Sequence, residues 1–179
     1  MPCGATSIGA PALAETVSDT GPVLHLEEIG RLPALTSVSP LQFPDLVWAE
    51  LQNRGVNSSS LQQAGIAFSV ILVAEADGRE VVNSSQPGSI QLADAQVFVL
   101  VRSSSFKALA LTDDFALRSL LESHGATVVG SVGLLVRAYT NGQSPRAELD
   151  QSIEDLLNES TLHLSRAFRA YLRRLIQDL

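Results

Sequence analysis

Apolar runs of strand length alternate with amphipathic helical segments along most of the 179-residue chain. This alternation constrains the fold more than any other feature of the sequence. Strands are predicted at residues 13–17, 37–43, 67–73, 108–111 and 127–129, with helices between them. Such an order favours a mostly parallel sheet covered on both faces. We therefore predict an α/β fold with three layers.

The middle of the chain fits more than one secondary structure. Residues 90–101 are apolar at a spacing that fits a buried helix, although Val97, Val99 and Val101 suit a strand equally well by propensity. We predict a helix there. Asp77-Gly78, further upstream, is typical of a turn.

The two ends of the chain differ from this pattern. Residues 1–12 lack periodicity and are predicted to form a disordered or extended segment. The alternating domain is predicted at residues 13–142, and residues 143–179 are predicted to form a helical hairpin packed on the same domain. The second hairpin helix carries an apolar stripe that needs a partner surface. The stripe consists of Phe168, Tyr171, Leu172, Leu175 and Leu179.

Composition limits the classes of protein to which the chain can belong. Apolar residues make up 45% of the chain and charged residues 17%, so we expect it to fold. Its formal charge of −7 is unlike that of a protein that binds nucleic acid by bulk electrostatics. If RNA is the substrate, metal ions and local arginines must offset the repulsion.

Features that bear on location favour the cytoplasm. Cys3, the single cysteine, cannot form an internal disulfide, which fits a reducing compartment. The first fifteen residues contain no Lys or Arg and do not read as a signal peptide. The apolar segment 67–76 is too short to cross a bilayer as a helix. We expect no membrane association.

Several acidic residues lie where a predicted strand gives way to a helix. Asp19 follows the first strand, and Asp113 and Asp114 follow another. Because the carboxyl ends of parallel strands line one edge of a sheet, acids from distant parts of the sequence can meet there. Clustered carboxylates repel one another unless a cation compensates their charge. Mg²⁺ and Mn²⁺ prefer such oxygen ligands and leave positions open for phosphate.

Four short motifs occur in an order that points to a known family. They are Val17–Leu24, Phe43–Leu51, Leu111–Asp114 and Val129–Leu135. In combination they resemble bacterial PIN domains, and most closely the VapC-like branch of toxin-type ribonucleases. The resemblance covers roughly residues 17–142, and the helical tail is similar as well. It implies a three-layer α/β/α PIN-like domain that hydrolyses RNA with Mg²⁺ or Mn²⁺, a small antitoxin partner and a homodimer.

The resemblance also implies a site of four acids. Asp19 matches the first acid, Glu50 the second and Asp94 the third. Asp114 matches the fourth through the Thr-x-Asp ending of its motif. Asp113 is adjacent and could share or take that role, so it remains a candidate metal ligand.

Three further residues are candidates for supporting roles. By the same resemblance, Thr20 and Thr112 would orient carboxylates through hydrogen bonds. Arg118, one turn beyond the acids, is the candidate for contact with a substrate phosphate. Its alternative is an i, i+4 ion pair with Asp114.

Other readings stay open beside the nuclease hypothesis. An Asp ahead of a helix is often only an N-cap. The third motif reads Ala93-Asp94-Ala95-Gln96 and lacks a second acid, which together with the acidic charge favours a catalytically silent PIN module that binds protein or RNA. A flavodoxin-like or nucleotide-binding protein would show the same alternation of strands and helices. The three histidines lack the paired spacing of a zinc site.

Overall fold

Five parallel strands form the central sheet in a computed structural model that describes residues 15–177. The predicted N-terminal segment at residues 1–12 lies outside this range. In chain order the elements are β1 (Thr16–Ser18), α1 (Thr20–Glu28), a 3₁₀ helix (Leu32–Val38), β2 (Leu41–Pro44), α2 (Asp45–Asn53), α3 (Ser58–Gln63), β3 (Phe68–Ile71), α4 (Glu75–Ser84), α5 (Leu92–Ser103), β4 (Leu109–Leu111), α6 (Phe115–Ser123), β5 (Thr127–Val129), α7 (Ser131–Thr140), α8 (Arg146–Asn158) and α9 (Arg166–Gln177).

The sheet has the strand order β3-β2-β1-β4-β5, and every neighbouring pair is parallel. In central strand β1, Val17 lies opposite Gln42 of β2 and Ala110 of β4. The chain builds outward from β1 to β3 and then crosses to β4 on the other side. This reversal creates a crevice at the carboxyl ends of β1 and β4, where ligands bind in open α/β sheets.

Helices cover both faces of the sheet. All three residues of β1 are buried, and so are Ala110 and Leu111 of β4. Successive side chains of a strand point to opposite faces, so a strand buried at every position is covered on both sides. The predicted three-layer α/β fold is therefore confirmed.

Helix spacing also gave the correct structure for the ambiguous segment at 90–101, which forms α5. Helices α2 and α6 end before Gly55 and Gly125, whose φ angles are +92° and +84°. Glycine adopts this left-handed conformation without the steric cost of a Cβ, which is why it follows so many helices.

The prediction of a turn at Asp77-Gly78 is wrong, because both residues lie inside α4. Gly78 is buried, and a Cβ added to it would lie 2.9 Å from Cδ1 of Leu92. The glycine therefore serves the close approach of α4 to the start of α5. The predicted strand at 37–43 is partly wrong as well, since it begins only at Leu41 and a 3₁₀ helix precedes it.

Helices α8 and α9 form the predicted C-terminal hairpin. Arg173 of α9 donates two hydrogen bonds of 2.9 Å to the Glu154 carboxylate of α8, and Leu172 is buried. Phe168 and Tyr171 of the predicted stripe remain 42% and 56% exposed, and Leu179 lies beyond the described residues. Across residues 15–177, no helix combines the length and apolar character needed to cross a membrane.

Candidate metal centre

Asp19 lies at the bottom of the crevice, directly after β1. It is the N-cap of α1, and its Oδ1 accepts a 2.6 Å hydrogen bond from the Thr20 amide. Its Oδ2 accepts a 2.8 Å bond from Oγ1 of Thr112, which follows β4. The residue is only 7% exposed. Both oxygens of a buried carboxylate are thus fixed by donors from two neighbouring strand ends.

Thr112 connects Asp19 to Asp114. Its Oγ1 donates to Asp19 and accepts a 3.0 Å bond from the Asp114 amide. Asp114 is the N-cap of α6, where its Oδ1 accepts a 2.7 Å bond from the Leu117 amide. Because Thr112 is fully buried, this chain of bonds holds the two acids in a defined relation across β1 and β4.

Glu50 and Asp94 reach the same crevice from two helices. The Thr20 hydroxyl donates a 2.8 Å bond to Oε2 of Glu50, which ties α2 to the start of α1. Asp94 lies in the first turn of α5 and accepts a 2.8 Å bond from the Gln91 amide as part of a capping box. Four separate segments thus contribute acids near the carboxyl ends of β1 and β4.

Electrostatic interactions among these acids show how closely they converge. Burial raises the pKa of Asp19 to about 7, and the nearby charges of Asp94 and Glu50 add to the shift, although hydrogen bonds from Thr112 and Thr20 oppose it. Burial also raises the pKa of Asp94, and the charges of Asp114 and Glu50 contribute. Desolvation and like charge thus both disfavour the ionised forms of Asp19 and Asp94.

The carboxylates share one electrostatic environment without forming a ready coordination shell. Within the described range, no group of three or more His, Cys, Asp or Glu side chains is arranged to hold a metal ion as it stands. Each acid instead turns an oxygen to a protein donor: Glu50 to Thr20, and Asp94 and Asp114 to backbone amides. A cation bound here would have to draw some of these side chains away from their donors.

The chemistry of the donor set nevertheless fits a hard divalent cation. All four acids supply only oxygen, which Mg²⁺ and Mn²⁺ prefer. Burial, and after it the charges of neighbouring acids, raise the pKa values of Asp19 and Asp94, and a positive ion between the carboxylates would favour their ionised forms.

Asp113 is engaged elsewhere, although it adjoins Asp114. Its Oδ2 accepts a 2.8 Å bond from Nδ1 of His25 and a 2.5 Å bond from the Ser131 hydroxyl, and its Oδ1 accepts a 2.8 Å bond from the Ser131 amide. The contact joins α1, the β4–α6 loop and the start of α7. Asp113 is thus held apart from the four convergent acids by partners that the sequence did not reveal.

The Arg118 guanidinium is engaged in contacts within the protein. Its guanidinium donates to the carbonyls of Thr112 and Val128 at 3.0 and 3.2 Å and pairs with Glu122 at 3.3 Å. The ion pair with Asp114 that was considered from the sequence is not formed. These contacts bind the ends of β4 and β5 together and leave the guanidinium little freedom to reach a phosphate.

Gln96 is a positioning residue that the sequence reading missed. It belongs to the third motif, two residues after Asp94, is only 1% exposed, and links three segments. Its Oε1 accepts a 3.1 Å bond from the Leu46 amide, and its Nε2 donates to the Val73 carbonyl at 3.3 Å. A buried amide that both donates and accepts fixes α5, and with it Asp94, against α2 and the end of β3.

The fold and the crevice define the chain as a parallel α/β protein with acidic residues at the carboxyl edge of its sheet. A comparison with protein-family models matches residues 15–178 to DUF3368, a PIN domain. The protein therefore belongs to the PIN-domain family. PIN domains are generally nucleases, so its fold is of a nuclease type. Searches of curated proteins and of solved structures found no match.

Proposed function

We propose that the protein is a Mg²⁺- or Mn²⁺-dependent endoribonuclease that hydrolyses RNA phosphodiesters. The observation that carries the proposal is the convergence of Asp19, Glu50 and Asp114, which Thr20 and Thr112 connect by hydrogen bonds, with Asp94 near enough for its charge to raise the pKa of Asp19. Burial and like charge disfavour the ionised forms of Asp19 and Asp94 in the metal-free protein, and a fold maintains such a cost most readily where a cation relieves it.

The division of roles follows from burial and hydrogen bonding. Asp19, buried and fixed at both oxygens, is the central ligand, with Glu50, Asp94 and Asp114 around it. A divalent cation held there would lower the pKa of a water molecule and neutralise charge developing on the phosphate.

The remaining residues support this site without touching the substrate. Thr112 and Thr20 hold Asp19 and Glu50 in orientation through their hydroxyl groups. Arg118 fixes the ends of β4 and β5, and we assign it this role in place of the phosphate contact predicted from the sequence.

The motif resemblance supports a biological role as the toxin of a VapC-like toxin–antitoxin pair. In that role the protein would act in the cytoplasm, form a homodimer and be held inactive by a small antitoxin. Induced expression should then arrest bacterial growth, and the Asp19→Asn variant should not. If wild type and Asp19→Asn arrest growth equally, toxicity does not depend on the acidic crevice, and this role is contradicted.

A catalytically silent PIN module is the second candidate. It is favoured by the absence, within residues 15–177, of acids already arranged around one point, and by the formal charge of −7. Calorimetric titration with Mn²⁺ separates the two. The nuclease should bind Mn²⁺ in a way that Asp19→Asn abolishes, whereas a silent module should show no carboxylate-dependent binding.

Cleavage of labelled single-stranded RNA by the purified protein tests the catalytic proposal directly. With Mn²⁺ present, Asp19→Asn should slow cleavage on the order of 100-fold, because it removes the central carboxylate ligand of the proposed cation. Asp77→Asn, which neutralises an exposed acid in α4, is the matched control and should cleave at the wild-type rate. Equal rates for wild type and Asp19→Asn would show that the acids are not catalytic.

A further inference from the structure

A groove of about 480 Å³ lies between α4, α5 and α6, outside the four acids. Its walls include Phe98 and Arg102 of α5, Leu120 of α6, and the loop residues Phe106 and His124 that follow these two helices. The walls thus combine aromatic rings with a cation.

Two of the helices that line the groove begin near the acidic crevice. Asp94, Phe98 and Arg102 are spaced four residues apart and share one face of α5, so Arg102 lies about 12 Å along the helix from Asp94. Helix α6 begins directly after Asp114 and lines the other wall. Both helices begin at the carboxyl edge of the sheet, so a chain leaving the acids can continue between them.

Three aromatic rings form the groove wall. The His124 ring lies 5.1 Å from Phe98 and 5.2 Å from Phe106, and the two phenyl rings are 5.6 Å apart. Phe106 has a φ of +60° and follows Ser105 at +57°. A bulky residue rarely adopts this left-handed conformation, and such backbone outliers cluster at functional sites. The backbone here places an aromatic ring against the groove at a conformational cost.

Charge in the groove differs from that of the whole chain. The Arg102 guanidinium lies over the Phe98 ring at 5.8 Å, is exposed, and forms no ion pair within residues 15–177. Glu80 is the only acid among the lining residues. Although the chain has a formal charge of −7, the groove offers a polyanion one cation with only one acid among the lining residues.

Phe115 adjoins the groove in sequence, and we call its position the groove entrance. It is the first residue of α6, lies between Asp114 and the lining residue Ala116, and is 80% exposed. A large aromatic side chain left in water beside the acids offers a flat face on which a base can stack.

We propose that this groove binds a single-stranded RNA segment that adjoins the cleaved phosphodiester. A base stacks on Phe115 at the entrance, and Arg102 contacts a phosphate further along α5. The inference rests on the proposed nuclease function and adds the path of the substrate. A single strand is required because stacking needs an unpaired base with a free face. An apolar groove also suits an amphipathic peptide, but the unpaired arginine and the entrance beside the acids favour RNA.

RNA binding by Asp19→Asn, measured by fluorescence anisotropy with a labelled single strand, tests the groove apart from catalysis. Phe115→Ala in this background should weaken binding about tenfold, with Phe115→Trp restoring it, since base stacking tolerates any aromatic face. Arg102→Ala should weaken binding and reduce the slope of log affinity against log salt by about 0.7, the value for one phosphate contact on a single strand. Phe115→Ala should leave that slope unchanged.

The controls resemble the test residues but lie outside the groove. Leu72→Ala removes an 85% exposed apolar side chain after β3, and Arg137→Ala removes an exposed arginine from the last turn of α7. Both should bind RNA as the parent does. If Phe115→Ala and Arg102→Ala match these controls, the groove is not an RNA site and a protein partner is its better occupant.

The outcome separates the groove from the proposed function. If wild type cleaves RNA and neither groove variant changes KM or affinity, the groove proposal fails while the nuclease stands. If wild type does not cleave, but Phe115→Ala and Arg102→Ala still weaken binding as described, the groove stands and the nuclease fails.

Discussion

Asp19 combines deep burial with two fixed hydrogen bonds and the charges of two neighbouring acids. An isolated Asp titrates near 3.8, whereas burial raises the pKa of Asp19 to about 7 in the folded protein. Between these values the folded state holds a proton that the unfolded state has lost. Stability therefore falls as pH rises through this window, and the full cost is present above pH 7.

Replacing Asp19 with Asn should remove this cost while keeping an oxygen that can accept from Thr112. In chelator at pH 8 we expect Asp19→Asn to be more stable than wild type by about 2–4 kcal/mol, with little difference at pH 4. Urea unfolding at the two pH values measures this, with Asp77→Asn as the control. A variant that is less stable than wild type at pH 8 would contradict the assignment of an uncompensated buried charge.

At the scale of elements, three segments meet at Asp113. His25 of α1 and Ser131 of α7 both donate to its carboxylate, and a Cβ on Gly130 would lie 2.4 Å from its Oδ1. Because Gly130, at the end of β5, has no Cβ, it leaves room for the Asp113 side chain. This close approach explains the glycine in structural terms.

A double-mutant cycle tests whether the need for glycine at position 130 depends on Asp113. Asp113→Ala leaves a buried His25 and a Ser131 amide without an acceptor and should cost about 2–4 kcal/mol of unfolding free energy. Gly130→Ala should also be destabilising in wild type and clearly less so beside Asp113→Ala, because the clashing carboxylate is gone while the contacts of 3.1 Å to Arg118 and 3.3 Å to the Thr112 carbonyl remain. Chemical unfolding of the four proteins gives the coupling energy. Additive effects would show that Gly130 does not depend on Asp113.

Local sequence patterns correctly predicted the elements that depend on residues close together in the chain. They failed where a contact between residues distant in sequence determines the structure. Helix spacing identified α5, and the order of acids after strands indicated that Asp19 and Asp114 would approach. The helix at Asp77-Gly78 was missed because the glycine is explained by Leu92, a contact made only in the folded chain. The separate placement of Asp113 was missed for the same reason, since its partners come from α1 and α7.

The whole molecule is acidic, and its crevice concentrates that charge where a cation is proposed to bind. Net repulsion between a chain of formal charge −7 and RNA means that substrate association should depend on the divalent ion and on the local cation Arg102. On the proposed function, metal, proton and substrate binding would be coupled through the same few carboxylates. The coupling between metal and proton is the easier to isolate, because it requires no RNA.

Binding of Mn²⁺ should displace the proton that Asp19 retains. With the pKa of Asp19 raised to about 7, the residue is mostly protonated at pH 6 and mostly ionised at pH 8, so affinity for Mn²⁺ should rise over this range. Calorimetry in two buffers of different ionisation enthalpy should show nearly one proton released per ion at pH 6 and far less at pH 8. Asp77→Asn should release the same number as wild type. Proton release that is small and equal at both pH values would mean that the ion does not bind at Asp19.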